Sequence, residues 1–203
     1  LMCGTGYGFS VEQEEVEKLP EVPEIKSGQG LPKVIIEDSK AGWADSVKTL
    51  MGSLYDGQNL YFDYSAIRLE GARLMTMGGR ASGPAPLIKL HDFIRETMHN
   101  AQGRKLTTLE AHDICNQIAE IVVVGGVRRS SQISLSDLDD KDMRHAKEWP
   151  FPIKRAMANN SAIFREKPSA AQFLKEWASL ALSGTGERGI FNLSAAQSNF
   201  FFF

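Results

Sequence analysis

The residues of this chain best suited to chemistry are Arg128 and Arg129, which follow two glycines at positions 125–126 after a single valine. A guanidinium group is planar, permanently charged and donates hydrogen bonds in a fork that fits a phosphate or a carboxylate. Two successive glycines let the backbone turn where a side chain would clash. We therefore expect an exposed loop here that holds an anionic ligand.

A helix and a strand are predicted to position this loop. Thr107 can cap the helix, because Glu110 stands three residues later, at the spacing of a capping box. Residues 131–135 alternate in polarity as a half-buried strand does. The thiol of Cys115 is expected to be a small core group rather than a nucleophile. The apolar face of the helix is predicted to contain Cys115, Ile118, Ala119 and Val122.

A second glycine-rich segment, GTGYG, stands near the start of the chain. Gly4, Gly6 and Gly8 alternate there with Thr5 and Tyr7. A loop of this kind brings backbone N–H groups close to a ligand, and a tight turn between strands is an equally good interpretation of the spacing. The segment lacks the G-x-G-x-x-G spacing that binds dinucleotides.

A third candidate lies in residues 68–86, where glycines at 78, 79 and 83 surround Arg80 and Ser82 just before a helix. The prolines at 84 and 86 suit a first helical turn, where a missing N–H costs little. The start of such a helix can receive an anion. An ordinary entry into a helix is the alternative.

The remaining pattern alternates helices with short apolar strands. Strands are predicted within residues 33–37, 60–67 and 155–164, and again in the segment GERGIFN. Helices are predicted after Ser39 and after Ser169, and residues 12–18 are predicted to be a solvated run of charge. This order indicates an α/β fold with ligand-binding loops at the ends of its elements.

The composition argues against several classes of function. A net charge of -2 does not suit general binding of nucleic acid, which needs a strongly basic face. Two cysteines suit a reducing cytoplasm rather than a disulfide framework. No apolar run is long enough to span a membrane, and the start has no signal-peptide pattern. The four histidines do not group at metal-ligand spacing, so no metal site is predicted.

Both ends of the sequence are unusual for a complete protein. The chain begins with Leu1 inside an apolar segment and ends in four consecutive phenylalanines. A run of exposed aromatic residues favours aggregation. We expect an internal fragment whose residues 198–203 derive from a truncated or frame-shifted reading frame.

Eight motifs taken together carry a family resemblance. In order they are CGTGYGFSVE, EDSKAGWAD, GARLMTMGGRASGP, NAQGRKLTTLEAHDI, VVVGGVRRSSQISL, MRHAK, ANNSA and GERGIFN. The chain resembles the adenosylcobalamin-dependent ribonucleoside-triphosphate reductases, the class II ribonucleotide reductases of the monomeric type. The resemblance runs over residues 1–197, where it defines a partial barrel domain. Leu193 and Ser194 depart from the charged pair that the family pattern has after GIFN.

The resemblance implies a fold and a reaction. The fold would be part of a ten-stranded α/β barrel. The reaction would replace the 2′-hydroxyl of a ribonucleoside triphosphate with hydrogen, through a cysteine thiyl radical that adenosylcobalamin initiates. A thioredoxin-type protein would be the reductant, and a deoxyribonucleoside triphosphate effector would tune the choice of base. The enzyme would be cytoplasmic, with no membrane or nucleic-acid partner.

The resemblance also assigns binding residues. Thr5, Gly6 and Gly8 would lie against the substrate nucleotide, and Ser82 and Gly83 would belong to the substrate side. Residues 12–57 would contain a connector and, at 34–54, an insertion that imitates a dimer partner's helices, which implies a monomer. The specificity loop between effector and substrate base would consist of Gly126, Val127, Arg128, Arg129 and Ser130.

No catalytic residue can be transferred from the family to this chain. The radical cysteine would lie beyond residue 203, and the redox cysteines would lie upstream of residue 1 and downstream of the chain. Cys3 would belong to the loop after the redox strand. Two alternatives to a reductase fragment therefore stay open: a nucleotide-binding or regulatory module without turnover, and an inactive truncated gene product.

Overall fold

The protein was analysed as a computed structural model that describes residues 1–26, 31–74, 79–124 and 131–199. Its main sheet has four parallel strands in the order β1-β4-β5-β6. Because consecutive strands are parallel, helices connect them across the sheet. The strands are β1 (Gly6–Ser10), β4 (Ser131–Asp137), β5 (Ala158–Phe164) and β6 (Gly189–Asn192). The predicted α/β class is confirmed.

A second, two-stranded parallel sheet pairs β2 (Lys33–Ile35) with β3 (Tyr61–Asp63). Between and around the sheets lie α1 (Gln13–Val16), α2 (Lys40–Tyr55), α3 (Ala85–Asn100) and α4 (Thr108–Val124). The later helices are α5 (Lys141–His145), a 3-10 helix (Ile153–Met157), α6 (Ala170–Ser183) and α7 (Leu193–Asn199). No helix of the described residues combines the length and apolarity that a membrane crossing requires.

The core forms where α2, α3 and α4 pack together. Several apolar side chains of α2 and α3 are fully buried there, while Trp43, Val47 and Met51 of α2 are partly buried against them. Burial of apolar side chains is the main favourable contribution to folding. The buried residues include Leu50, Leu54, Leu87, Leu90, Ile94 and Met98.

The predicted helix caps are present. The Thr107 hydroxyl accepts the Glu110 amide at 3.1 Å, and the Glu110 carboxylate accepts the Thr107 amide at 2.9 Å. Ser39 accepts the Gly42 amide at 2.9 Å at the start of α2. Ser169 forms the second capping box of the chain. These caps depend on local sequence, which is why spacing alone predicts them.

Three sequence expectations differ from the structure. Residues 6–8 belong to strand β1 and not to a loop, because β1 pairs with β4. Glu12 is buried instead of solvated, and it accepts hydrogen bonds from Ser10 and Arg165. The helix predicted after Ser169 has an amphipathic sequence, which predicts a buried apolar face, but that face of α6 is exposed. The buried residue of α6 is Glu176, which accepts hydrogen bonds from Arg144 of α5 and from Arg188 just before β6. The exposed residues are Phe173, Leu174 and Trp177.

Candidate nucleotide-binding site

A cavity of about 510 Å³ opens between the start of α2, the loop before α3 and the end of α4. We call it the α2–α4 cavity. Its wall combines two cations and one carboxylate with apolar side chains, a mixture typical of small-molecule sites. The lining residues are Met2, Asp38, Ser39, Lys40, Trp43, Ile67, Arg68, Leu74, Ala81, Ser82, Gly83, Ile121 and Val122.

Gly42 allows the turn that brings Asp38 to the cavity. A Cβ at position 42 would lie 2.4 Å from the carbonyl oxygen of Glu37. No side chain larger than hydrogen fits at that distance without movement of the backbone. The segment before α2 therefore folds tightly against the first helical turn and places Asp38 and Ser39 at the cavity wall.

The cationic side of the cavity is built from Arg68 and Lys40. Arg68 Nε donates to Asp38 Oδ2 at 2.6 Å, and Lys40 Nζ donates to the carbonyl of Met2 at 3.0 Å. The Arg68 side chain is 39% exposed, so a ligand can reach its guanidinium group. Both cations lie near the start of α2, where the helix itself carries partial positive charge. This end of the cavity suits a phosphate.

The loop before α3 contributes Ser82 and Gly83. Gly83 has φ +68°, and a Cβ there would lie 3.0 Å from the Glu70 amide nitrogen. The loop is closed by a hydrogen bond from the Ala81 amide to the Ala72 carbonyl at 2.7 Å. Ser82 and Gly83, which the sequence assigned to the substrate side, therefore lie on the cavity wall.

The end of α4 closes the cavity through Ile121 and Val122. The helix continues to Val124, and the chain then enters the segment predicted to be the specificity loop. That segment, with Gly126, Val127, Arg128, Arg129 and Ser130, lies outside the described residues.

Thr5, Gly6 and Gly8 do not line the cavity. Gly6 and Gly8 pair with Ser131 and Ile133 of β4. The ring of Phe9 lies 6.2 Å from that of His112 on α4, so the alternate residues of β1 face away from α4. Both glycines are exposed on that other face of the sheet, where the absence of side chains leaves room for a ligand.

Buried polar contacts hold α4 on the main sheet. The His112 ring lies 3.1 Å from Asn160 Oδ1 of β5, and Asn116 donates to the same ring. Arg155 binds both carboxylate oxygens of Asp113, at 2.8 and 2.9 Å. Burial raises the pKa of Asp113, but the hydrogen bonds from His112 and Arg155 outweigh burial and hold that pKa at about 2. These contacts fix the helix that ends at the cavity.

Cys115 lies in this buried region of α4. Burial raises the pKa of its thiol to about 11, so the thiol stays protonated near neutral pH. A protonated thiol is a poor nucleophile, which agrees with the expectation of a core role.

Sequence reasoning missed the polar residues of the cavity. Asp38 and Lys40 lie in the family motif EDSKAGWAD, but the sequence alone assigned no role to either of them. The available signal was a carboxylate and a lysine on either side of the helix cap Ser39, with a glycine two residues after the lysine. The contribution of Arg68 depends on the fold, because it lies thirty residues from Asp38 in the chain.

Comparisons with known proteins found relatives in one family of enzymes. No protein-family model matches the chain. Curated relatives are adenosylcobalamin-dependent ribonucleoside-triphosphate reductases. The protein of Euglena gracilis is 35% identical over 167 residues, which are 80% of this chain and 22% of the relative. That of Lactobacillus helveticus is 30% identical over 241 residues, which are 98% of this chain and 32% of the relative.

A crystal structure of a B12-dependent (class II) ribonucleotide reductase superposes on this chain with a TM-score of 0.80 and 28% sequence identity. The match covers 95% of this chain and 31% of that one. The fold thus places the chain in the α/β class of the ribonucleotide reductases. More particularly, its relatives are the adenosylcobalamin-dependent ribonucleoside-triphosphate reductases, and the resemblance seen in the motifs is confirmed. The chain spans 22% to 32% of the length of these curated relatives.

The described residues do not define a site for the cobalamin. Each of the four histidines in the sequence has a hydrogen-bond partner within the chain. Within the described ranges, no group of three or more metal-ligating side chains could hold a metal ion. We therefore derive no reaction step through the cofactor from this chain. The partners are Ser46 and Tyr64 for His91, Gln102 for His99, Asn160 for His112 and Glu148 for His145.

Proposed function

We propose that this chain acts as part of an adenosylcobalamin-dependent ribonucleoside-triphosphate reductase, and that its α2–α4 cavity binds a deoxyribonucleoside triphosphate effector. The observation that carries the proposal is the position of the cavity. It joins a cationic helix start to an apolar wall at the end of α4, directly before the predicted specificity loop. The names of the relatives support the reaction and the cofactor of the whole enzyme.

The start of α2 would bind the triphosphate. The first N–H groups of a helix lack partners within the helix and attract anions. Lys40 and Arg68 add two positive charges at the same end of the cavity. A hydrogen bond to a charged group contributes about 1.5–3 kcal/mol, so either cation can affect affinity measurably.

Asp38 and Ser82 would bind the sugar. Asp38 accepts Arg68 through Oδ2 and can accept a sugar hydroxyl through its other oxygen. Ser82, which the family resemblance assigned to the substrate side, would serve the effector in this proposal, because it stands on the opposite loop of the cavity and can donate or accept. The base would then occupy the apolar end, against Ile121 and Val122 of α4.

Occupation of the cavity would act on substrate choice through α4. The helix links the cavity to residues 126–130, whose Arg128 and Arg129 would sense the substrate base. The substrate itself would approach the open face of the sheet at Thr5, Gly6 and Gly8. We further propose that residues 12–57 let the intact enzyme act as a monomer, with a thioredoxin-type reductant, in the cytoplasm.

A nucleotide-binding or regulatory module without turnover is the second candidate. It is favoured by the cysteines: the buried thiol of Cys115 stays protonated near neutral pH, and neither Cys115 nor Cys3 is assigned to the radical or redox chemistry. A chimera separates the two candidates. In the chimera, this chain replaces the matching segment of the Lactobacillus helveticus reductase. If the chain is part of a reductase, the chimera should reduce ribonucleoside triphosphates. Binding without turnover in the chimera favours the second.

Equilibrium dialysis with labelled dATP, dGTP, dCTP and dTTP tests the binding claim on the chain itself. We expect saturable binding of at least one of them and a loss of about tenfold in affinity for Arg68→Ala. Lys89→Ala is the matched control, because Lys89 pairs with Glu120 at 2.8 Å on an exposed helix surface away from the cavity. Absence of binding to the unaltered chain overturns the effector assignment.

A further inference from the structure

Trp43 is the only aromatic residue among the described residues that line the α2–α4 cavity. The segments 75–78 and 125–130, which follow Leu74 and Val124 in the chain, contain no aromatic residue in their sequence. Trp43 is half-buried and packs against the core cluster on one side. The cavity therefore has one aromatic surface, and it is anchored in the core.

A chain of hydrogen bonds supports the helical turn that carries Trp43. The Ser46 hydroxyl donates to the Trp43 carbonyl at 2.7 Å. Because its hydrogen is used there, Ser46 Oγ accepts from His91 Nε2 at 3.1 Å. His91 Nδ1 is then the unprotonated nitrogen, and it accepts from the Tyr64 hydroxyl at 2.8 Å. Ser46 and His91 are 4% and 0% exposed, so water does not compete for these bonds.

Trp43 and the phosphate end of the cavity belong to one turn of α2. Lys40 and Trp43 are three residues apart, a spacing that places two side chains on the same face of a helix. A ligand held by Lys40 through its phosphates can therefore reach Trp43 with another part of its structure. Nucleobases stack on aromatic side chains with little dependence on which base is present.

We propose that Trp43 is the surface on which the base of the bound nucleotide stacks, and that Ser46, His91 and Tyr64 are its positioning residues. The inference rests on the proposed function, because it assumes a nucleotide in this cavity. It adds that the base, whose other side would face Ile121 and Val122 of α4, gains most of its affinity from Trp43 of α2. Because stacking holds every base, discrimination between bases is left to other residues.

Fluorescence of Trp43 tests the contact directly. The chain has three tryptophans, and Trp149 and Trp177 are 84% and 54% exposed. Replacing both by Phe leaves Trp43 as the sole indole fluorophore without altering the cavity. Titration with dATP is expected to change its emission saturably, whereas inorganic tripolyphosphate, which has no base, is expected to leave it unchanged.

Substitutions at position 43 measure the contribution of stacking. Trp43→Leu should weaken dATP binding on the order of tenfold to a hundredfold. Trp43→Phe keeps an aromatic ring and should retain most of the affinity. Trp149→Leu is the matched control and should leave binding unchanged. Circular dichroism reports whether each variant folds. If Trp43→Leu does not fold, the emission of Trp43 in the protein that keeps this residue tests stacking by itself.

If His91 positions Trp43, its substitution should weaken the binding of dATP but not that of tripolyphosphate. His91→Leu breaks the bond to Ser46 and should weaken dATP binding, while competition by tripolyphosphate stays as in the parent. His91→Gln can still donate to Ser46 and should restore part of the dATP affinity. An equal loss for both ligands overturns the positioning role, since that result indicates general damage.

Different results would reject the stacking of a base on Trp43 and the proposed effector site. If dialysis shows tight binding of dATP to Trp43→Leu and the emission of Trp43 stays constant, stacking is wrong and the effector site stands. If no deoxyribonucleoside triphosphate binds the unaltered chain, the proposed function and the stacking inference are both wrong.

Discussion

At the residue scale, Gly42 and Gly52 show that two glycines of one helix have opposite roles. A Cβ at Gly42 would lie 2.4 Å from the Glu37 carbonyl oxygen, whereas a Cβ at Gly52 would meet nothing within 4 Å. The first glycine is needed for the turn that carries Asp38 to the cavity. The second only lowers the helix propensity of α2.

The two alanine variants should therefore change stability in opposite directions. Gly42→Ala is expected to lower the free energy of unfolding by about 1–3 kcal/mol, because the backbone must move to admit the methyl group. Gly52→Ala is expected to raise it by about 0.5–1 kcal/mol, since alanine favours the helix. Urea unfolding of both variants checks this, and stabilisation by Gly42→Ala would show that the turn is not tight.

His91 should make stability depend on pH. Burial, with the charge of Arg95 nearby, lowers the pKa of His91 from 6.5 to about 4. Between these values the unfolded chain binds a proton that the folded chain does not. Stability is therefore full above pH 6.5 and is lost as the pH falls toward 4, by at most about 1.4 kcal/mol per pH unit.

Urea unfolding between pH 7 and pH 4.5 measures this loss. His91→Gln removes the titrating group, so its stability should fall less steeply over that interval than that of the parent chain. Equal slopes for both proteins would mean that folding does not lower the pKa of His91.

At the element scale, α4 connects the parts of the molecule that the proposed function requires. Its first half is fixed to strand β5 through His112 and to the 3-10 helix through Asp113. Its second half lines the cavity through Ile121 and Val122. A helix held at one end and exposed to a ligand at the other can transmit a change to the residues that follow it. Those residues are the predicted specificity loop.

Arg128→Ala in a full-length reductase that contains this segment tests the element's role. We expect base preference and effector response to change more than the maximal rate with the best substrate, because the loop is proposed to select the base and not to catalyse. Arg129→Ala should behave alike. Equal loss of activity with all substrates, and an intact effector response, would exclude the specificity role.

Sequence reasoning predicted the helices and their caps but not the cavity. Thr107, Ser39 and Ser169 cap helices through bonds to residues three positions away, so a short stretch of sequence contains the whole interaction. The strand at Gly6 depends on β4, which lies 125 residues later in the chain. The Asp38–Arg68 pair and the buried Glu12 likewise depend on contacts between distant segments, which residue spacing does not contain.

At the scale of the whole molecule, several surfaces are apolar or open. Strands β1 and β6 form the edges of the main parallel sheet, and parallel sheets are usually covered on both faces. The apolar side of α6 is exposed, with Trp177 at 54% and Leu182 at 86%. Such edges and faces favour association and lower stability. We expect the chain by itself to have low stability, so that a bound nucleotide has a large relative effect.

The most direct measurement is the urea unfolding of the chain with and without a deoxyribonucleoside triphosphate. A ligand that binds only the folded state stabilises it by about 2.7 kcal/mol at a concentration of 100 times Kd. We expect at least one of dATP, dGTP, dCTP and dTTP to raise the midpoint accordingly, and Arg68→Ala to need a higher concentration for the same shift. A midpoint that none of the four nucleotides changes would contradict the assignment of the α2–α4 cavity as a nucleotide site.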